Sequence, residues 1–387
     1  MSGLSDLKRF ELSRERGFLP VQDPARALPQ AFGPWDELAA DLPKLLAAGR
    51  ARTALRGLPV LDPASLSGDG AVHRAMLVLS YFGHAYVWGG TEPESRIPEA
   101  VALPWCAVAA RLGRPPVLSY ASYALDNWRR LDPEGPLELG NLAILQNFLG
   151  GADEDWFILV HLEIEARAAR VIAELGPACA AAEAHDWDRL ADRLGEIADG
   201  IESLCQSLGR MPELCDPYVY YQRVRPYIHG WKNHPLLPDG VVYDGVAAFA
   251  GRPQRLRGET GAQSGIVPAL DAALGVEHAG DPLRAYLAEM RDYMPPGHRE
   301  FVAAVEAAPS IRAAAVASGD RQLRAAYDEC LRWLEAFRST HLDYAARYIH
   351  QQRPSGGANP TGVGTGGTPF MAYLRKHRDE TARHRLV

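Results

Sequence analysis

The stretch "DEDWFILVHLEIEARAARVIAEL", Asp153 to Leu175, decides the class of the fold. Its apolar residues recur at helical spacing, without the strict alternation of a half-buried strand. On a helix Phe157, His161, Ile164 and Ala168 share one face, while Glu163, Arg167 and Arg170 fall on others. A histidine therefore stands on the apolar side of the longest strongly apolar helix. Outward from this segment, read as a helix over 155–175, the same spacing predicts helices over 35–55, 70–87, 98–112, 120–130, 139–149, 187–209, 219–228, 282–293, 298–307 and 320–350. Few stretches suit strands, so the expected class is all-α. Turn-rich joints such as "RLDPEGP", "GGADED" and "NHPLLPDG" separate the helices. The joint before the long helix suggests a boundary near Gly150, dividing the chain into 1–149 and 150–387.

Composition narrows the function. The 387 residues are 47% hydrophobic and 23% charged, as in an ordinary globular protein. A formal charge of -7 leaves no broad basic surface for phosphates, although Arg252, Arg255 and Arg257 lie close in sequence, so nucleic acid is not an expected partner. The N-terminal "MSGLSDLKRFELSRERGFLP" lacks the apolar run of a secretory signal, and no later run of 18 apolar residues suggests a membrane span. Five cysteines without a CxxC pair read as reduced thiols, and the expected location is cytoplasmic. No HExxH is present; "GTGGT" lacks the GK[ST] of a phosphate loop, and "GETGAQSG" is not GxGxxG.

A second histidine sits in "FRSTHLDYAARYIHQQRPSGGANPTGVGTGGTPF", Phe337 to Phe370. On a helix His341 lies one turn from Phe337, Tyr344 and Ala345, and two turns from Cys330, Trp333 or Leu334, which places it in the buried stripe. His161 and His341 fit two readings: core imidazoles satisfied by hydrogen bonds, or a pair bracketing one planar cofactor with an axial ligand to haem iron. Spacing leaves both open.

Several segments together resemble the haem-dependent indoleamine 2,3-dioxygenases: "RGFLP" (Arg16–Pro20), "LPWCAVAARLGRPPVLSYASYALDNW" (Leu103–Trp128), "WFILVHLEIEA" (Trp156–Ala166), "YYQRVRPYIHGWKNHPLLPDGVVYDGV" (Tyr220–Val246), "GETGAQSG" (Gly258–Gly265), "MRDYMPPGHREF" (Met290–Phe301), "RSTHL" (Arg338–Leu342) and "GTGGTPFMAYL" (Gly364–Leu374). They follow the family's order over nearly the whole chain. The resemblance implies a small N-terminal and a large C-terminal helical domain, haem b with His341 as proximal ligand, and O2 as co-substrate. It also implies an electron donor that keeps the iron ferrous. The implied reaction inserts O2 across the indole C2–C3 bond of L-tryptophan or a related indole, giving N-formylkynurenine.

By the same resemblance Tyr120, Tyr123 and Phe157 line the indole pocket, Tyr123 standing where the family often has a smaller residue. Arg225, with Tyr221 one turn before it, holds the substrate carboxylate, for which a guanidinium fork is suited. Thr260 and Gly261 lie near haem and substrate, and Arg338 with Asp271 beside a haem propionate. The Gly-rich loop 351–368 folds over the site with Thr365 and Gly366 on the substrate, its glycines permitting backbone conformations closed to other residues. His161 stands where animal members carry serine; it is assigned to the catalytic group as base or as orienting acceptor for the indole N–H. Two alternatives accompany this reading: a different indole derivative as substrate, or a haem-binding sensor without turnover.

Overall fold

The computed structural model describes residues 3–278, 282–353 and 359–386. Helix dominates these residues, as expected. Strand is confined to a parallel pairing of Arg96–Ile97 with Val242–Tyr243 and an antiparallel pairing of Arg129–Arg130 with Leu142–Ala143.

The deciding segment is one helix, Ala152–Glu183, longer at both ends than its apolar pattern predicts. Asp153, Glu154 and Asp155 occupy its first turn, where negative charge complements the helix dipole. It packs against Trp187–Gly209, which in turn packs against Arg321–Ala345. The latter two start where Asp186 and Asp320 accept hydrogen bonds from backbone amides of the first turn.

Buried apolar side chains form two clusters. The first gathers Trp35, Trp105, Trp128 and Trp231 around the Asp69–Trp88 helix; the second gathers Leu190, Leu194, Phe301, Tyr327 and Leu331. The chain does not visit them in order, since Leu4 to Phe18 join the second cluster, whereas Ile228, Trp231 and Met290 join the first. Ala152–Glu183 serves both: Ile158 and Leu162 face the first, Val160 and Ile164 the second.

Several elements differ from the spacing. The expected helix over 139–149 is absent, because buried side chains take the amides a helix would use. Asn127 Oδ1 accepts from Leu145 and Gln146, Glu154 from Phe148 and Leu149, and Glu163 from Leu139. The expected 35–55 helix is two, Gly33–Ala47 and Ala51–Arg56. Helices over Ile266–Leu274, Ile311–Ser318 and Phe370–Arg383 were not expected; the last has apolar residues only in its first turns. π turns occupy Ala121–Leu125, Tyr220–Val224 and Ala346–His350, each displacing the face its residues would show on a regular helix. By length and composition Pro296–Ser318 could cross a membrane, but it is two helices with a break after Glu306, and Phe301, Val302 and Ile311 lie in the second core.

His84 illustrates how a core imidazole is satisfied. Its Nδ1 donates to the Tyr227 carbonyl at 2.7 Å and its Nε2 accepts from the Leu118 amide at 3.0 Å, an arrangement only the neutral ring can make. Burial lowers its pKa from 6.5 to about 4. Between those values the unfolded chain binds a proton that the folded one refuses, so this contribution to stability is full above about 6.5 and falls as pH drops toward 4. Urea unfolding of wild type and His84→Gln across this range should therefore show the wild type's advantage shrinking on acidification, by on the order of 3 kcal/mol. A difference constant with pH would contradict the assignment.

Candidate active site

His161 lies in a ring cluster that the Ala152–Glu183 helix shares with two of the π turns. Its centroid is 4.6 Å from Phe157 and 6.0 Å from Tyr120; Phe157 in turn stacks on Tyr220 at 4.6 Å and meets Tyr123 at 6.3 Å. The sequence-expected residues Tyr120, Tyr123, Phe157 and His161 are thus brought together. His161 Nδ1 is 2.7 Å from the Phe157 carbonyl, which only accepts, so the proton sits on Nδ1. Burial lowers the pKa of the ring, leaving it neutral with Nε2 free to accept a proton donor.

His341 departs from the buried stripe expected for it. Its neighbours Arg338, Leu342 and Ala345 are buried, but the imidazole itself is open to water. Enough protein surrounds it that desolvation, with smaller contributions from His161 and Arg338, still lowers its pKa to about 4. The ring is thus within electrostatic reach of His161. No hydrogen bond engages either ring nitrogen among the described residues, and a neutral, uncommitted imidazole is the form that ligates iron. Gly261 is likewise exposed, with open space where a side chain would begin. These features fit a haem held from the His341 side. A separate surface cleft of about 380 Å³ beside Leu214, Asp216 and Tyr348 includes neither histidine in its lining.

Arg338 and Asp271 form the expected pair, Nη2 to Oδ2 at 2.6 Å. Burial raises and Arg338 lowers the Asp271 pKa, with the net below the usual carboxylate range. Arg338 also reaches the C-terminal helix through the His377 carbonyl at 3.2 Å and the Thr381 hydroxyl.

Arg225 is fully buried, and its charge has no acidic partner among the described residues. Its Nη1 donates to the Asn359 side chain and to the Pro360 carbonyl at 3.1 Å, and its Nη2 to the Val363 carbonyl at 2.5 Å; Nε is buried without a partner. Tyr221 lies under the guanidinium, 5.6 Å from Cζ to ring centre, and its hydroxyl donates to the Asn359 carbonyl at 2.5 Å. Tyr221 thus stands beside Arg225, as its spacing predicts, and clasps the loop, while Tyr220, on the π turn Tyr220–Val224, enters the aromatic cluster.

The loop end is docked. Thr365 Oγ1 donates to the Glu259 carbonyl at 2.5 Å, the Thr365 carbonyl accepts from Gly230, and the Gly366 carbonyl accepts from Arg257 Nη1 at 2.5 Å. Arg257 is held in turn by Glu289 at 2.7 Å. Residues 354–358 of the expected loop lie outside the described residues. The glycines act differently from expectation: among those at 362, 364, 366 and 367 only Gly367 has a left-handed φ, +79°. Gly366 is required by proximity, since a Cβ there would lie 2.5 Å from the Tyr286 hydroxyl, which is itself bonded to Thr260 and Thr368. Thr260 also caps its own short turn through Ala262. Gly366→Val should consequently lift the loop and lower kcat/KM by roughly tenfold to a hundredfold with haem content unchanged. Wild-type kinetics in that variant would reduce the loop to a tether.

Sequence reasoning missed Glu259 and Asn359. Glu259 is buried within electrostatic reach of Tyr120, Tyr123 and Tyr220, and burial alone pushes its carboxyl up to about 8. An acid flanked by glycine and threonine in "GETGAQSG" reads as a surface turn, but the preceding Gly258 crosses Gly230 so closely that a Cβ on either would lie 2.1 Å from the other's backbone nitrogen. Asn359 follows residues with no apolar periodicity and left no signal.

Comparison with known proteins places this architecture. The family model described as indoleamine 2,3-dioxygenase matches residues 6–384. The chain is 35% identical to an indoleamine 2,3-dioxygenase 1 of Rattus norvegicus over 390 residues, covering 97% of this chain and 95% of the relative. It is 33% identical to an Aspergillus candidus protein named indoleamine 2,3-dioxygenase acdA, covering 98% of each. It is 32% identical to the Saccharomyces cerevisiae indoleamine 2,3-dioxygenase, covering 98% of this chain and 94% of the relative.

Proposed function

The chain belongs to the indoleamine 2,3-dioxygenase family, and from that premise we propose that it opens the indole ring of L-tryptophan with O2, giving N-formylkynurenine. The observation that carries the choice of an amino acid substrate is Arg225. A guanidinium removed from water without a counter-charge is costly, and a carboxylate arriving at its unpartnered Nε supplies both charge and acceptor.

Haem, held through His341, supplies the redox-active iron at which O2 is activated. The chain's own residues do the rest. Phe157, Tyr120, Tyr123 and Tyr220 enclose the indole, and His161 Nε2 accepts the indole N–H and sets the ring's orientation. The loop, tied at Thr365 and Gly366, excludes water while the site is closed. Arg338 and Asp271 hold the propionate side of the haem.

His161 orients the substrate without serving as an indispensable base. His161→Ser should retain a measurable rate, whereas loss of an essential base would cost about 10²- to 10⁴-fold. Wild type should also discriminate against 1-methyl-tryptophan, which has no N–H, more strongly than the variant does. An inactive variant with normal haem and substrate binding would establish the base role.

Tyr123 favours a second reading, since its hydroxyl is buried with no hydrogen-bond partner. An indole carrying a polar ring substituent would satisfy it, which makes a substituted indole the competing substrate. The deciding experiment is anaerobic reduction of the purified protein followed by O2 and L-tryptophan or a hydroxylated analogue, with N-formylkynurenine-type absorbance recorded. Turnover of neither would remove the proposal.

A further inference from the structure

We propose that His278, His377 and Glu380 form a binding site for a divalent transition metal ion of the zinc class. Their candidate donor atoms all lie within 4.8 Å of one another. They come from two elements: His278 follows the Ile266–Leu274 helix, while His377 and Glu380 lie one turn apart on Phe370–Arg383. The His278 and His377 rings stack with centroids 4.0 Å apart and planes at 27°.

Each side chain is already arranged as a ligand needs to be. His377 Nε2 is buried without a hydrogen-bond partner among the described residues, an unsatisfied lone pair or N–H on a ring of the cluster. His278 Nδ1 meets Glu380 Oε2 at 2.6 Å, and its Nε2 meets Asp271 Oδ2 at 3.1 Å. Placing the ion on Nδ1 keeps Nε2–H as a donor to Asp271, the carboxylate–histidine–metal arrangement that fixes a ligating ring. Asp271 is itself braced by Arg338 at 2.6 Å. The simpler reading, a protonated His278 bridging Asp271 and Glu380, accounts for two of the three residues and leaves His377 Nε2 unexplained.

Two imidazoles and one carboxylate suit zinc, cobalt or nickel, whereas magnesium and calcium prefer oxygen donors. A tetrahedral ion with bonds of ~2.0 to 2.1 Å needs donors ~3.3 Å apart, so donors as far apart as 4.8 Å close by about 1.5 Å while His278 Nδ1 and Glu380 Oε2 open from 2.6 Å. Three protein ligands leave one position for water. Thr365 to Thr368 lead directly into Phe370–Arg383, and Arg338 is one turn from His341. An ion here would fasten the helix that follows the docked loop to the segment after Ile266–Leu274, whose Asp271 in turn holds Arg338 on the helix bearing His341. None of this depends on the substrate.

The test is calorimetric titration of the chelator-stripped, haem-loaded full chain with Zn²⁺, with thermal unfolding recorded in parallel. One saturable site per chain with a dissociation constant at or below micromolar is expected, with a raised Tm. His377→Ala and Glu380→Gln should each weaken binding at least tenfold, while His185→Ala, an exposed histidine elsewhere, should not. The Soret band and circular dichroism identify a misfolded variant; Glu380→Gln is the milder of the two because its amide can still bond His278. Absence of a one-to-one site in the wild type overturns the proposal whatever the variants do. So does equal Zn²⁺ binding by the wild type and a folded His278→Ala/His377→Ala chain.

Discussion

His341→Ala should leave a folded protein that no longer retains haem stoichiometrically. The reason is local: the ring is exposed beside the buried Arg338, Leu342 and Ala345, its nitrogens make no hydrogen bond among the described residues, and the surrounding protein lowers its pKa to about 4, so it is neutral at pH 7. The helix around it is anchored independently. Leu331, Leu334 and Tyr327 pack in the second core, and Arg338 is tied to Asp271 and Thr381, so truncation at His341 removes the proposed ligand and leaves these supporting contacts in place. His84 and His298 are buried in the body of the protein, and changes there should alter stability before they alter haem content. Purification with excess haem followed by Soret absorbance and cyanide titration reads the outcome. Wild-type Soret intensity and a six-coordinate cyanide complex in His341→Ala would place the ligand elsewhere.

Arg225→Leu is the second large effect. It should weaken L-tryptophan far more than indole analogues lacking the carboxylate, by ~2 to 5 kcal/mol, or roughly 30-fold to several thousand-fold in kcat/KM. The guanidinium also clasps the loop, so a second variant is needed to separate the two roles. Asn359→Ala removes the loop's side-chain contacts to Arg225, His229 and Tyr221 but leaves the charge, and should affect both kinds of substrate alike. Arg225→Lys keeps the charge but loses the fork, and should recover only part of the discrimination. If Arg225→Leu slowed both substrate classes equally, the residue would be a loop anchor alone and the amino acid substrate would lose its main support.

The helical class and the long Ala152–Glu183 helix were legible because each follows from local periodicity, whereas the meeting of Tyr120, Tyr123, Phe157 and His161 was expected only from the family resemblance. What escaped depends on partners far away in sequence. Residues 139–149 carry a helical pattern, but Asn127, Glu154 and Glu163 claim their amides. Tyr221 lies against Arg225 as its spacing predicts, but the stacking of Tyr220 on Phe157 joins residues 63 positions apart and left no local signal. His341 was expected in the core since its neighbours are apolar, and only the assembled fold shows that the stripe opens there. Glu259 is polar by type and buried beside a backbone crossing, a conflict that local sequence cannot register.

The helix shared by the two hydrophobic clusters bears on how the protein melts. Ile158 and Leu162 complete one core and Val160 and Ile164 the other, so loss of either core strips one side of the same rod. Neither half keeps a full boundary once its neighbour has dissolved. The two clusters should therefore lose structure together, and a destabilising change in the first should lower the protection of backbone amides in the second, as hydrogen exchange would read.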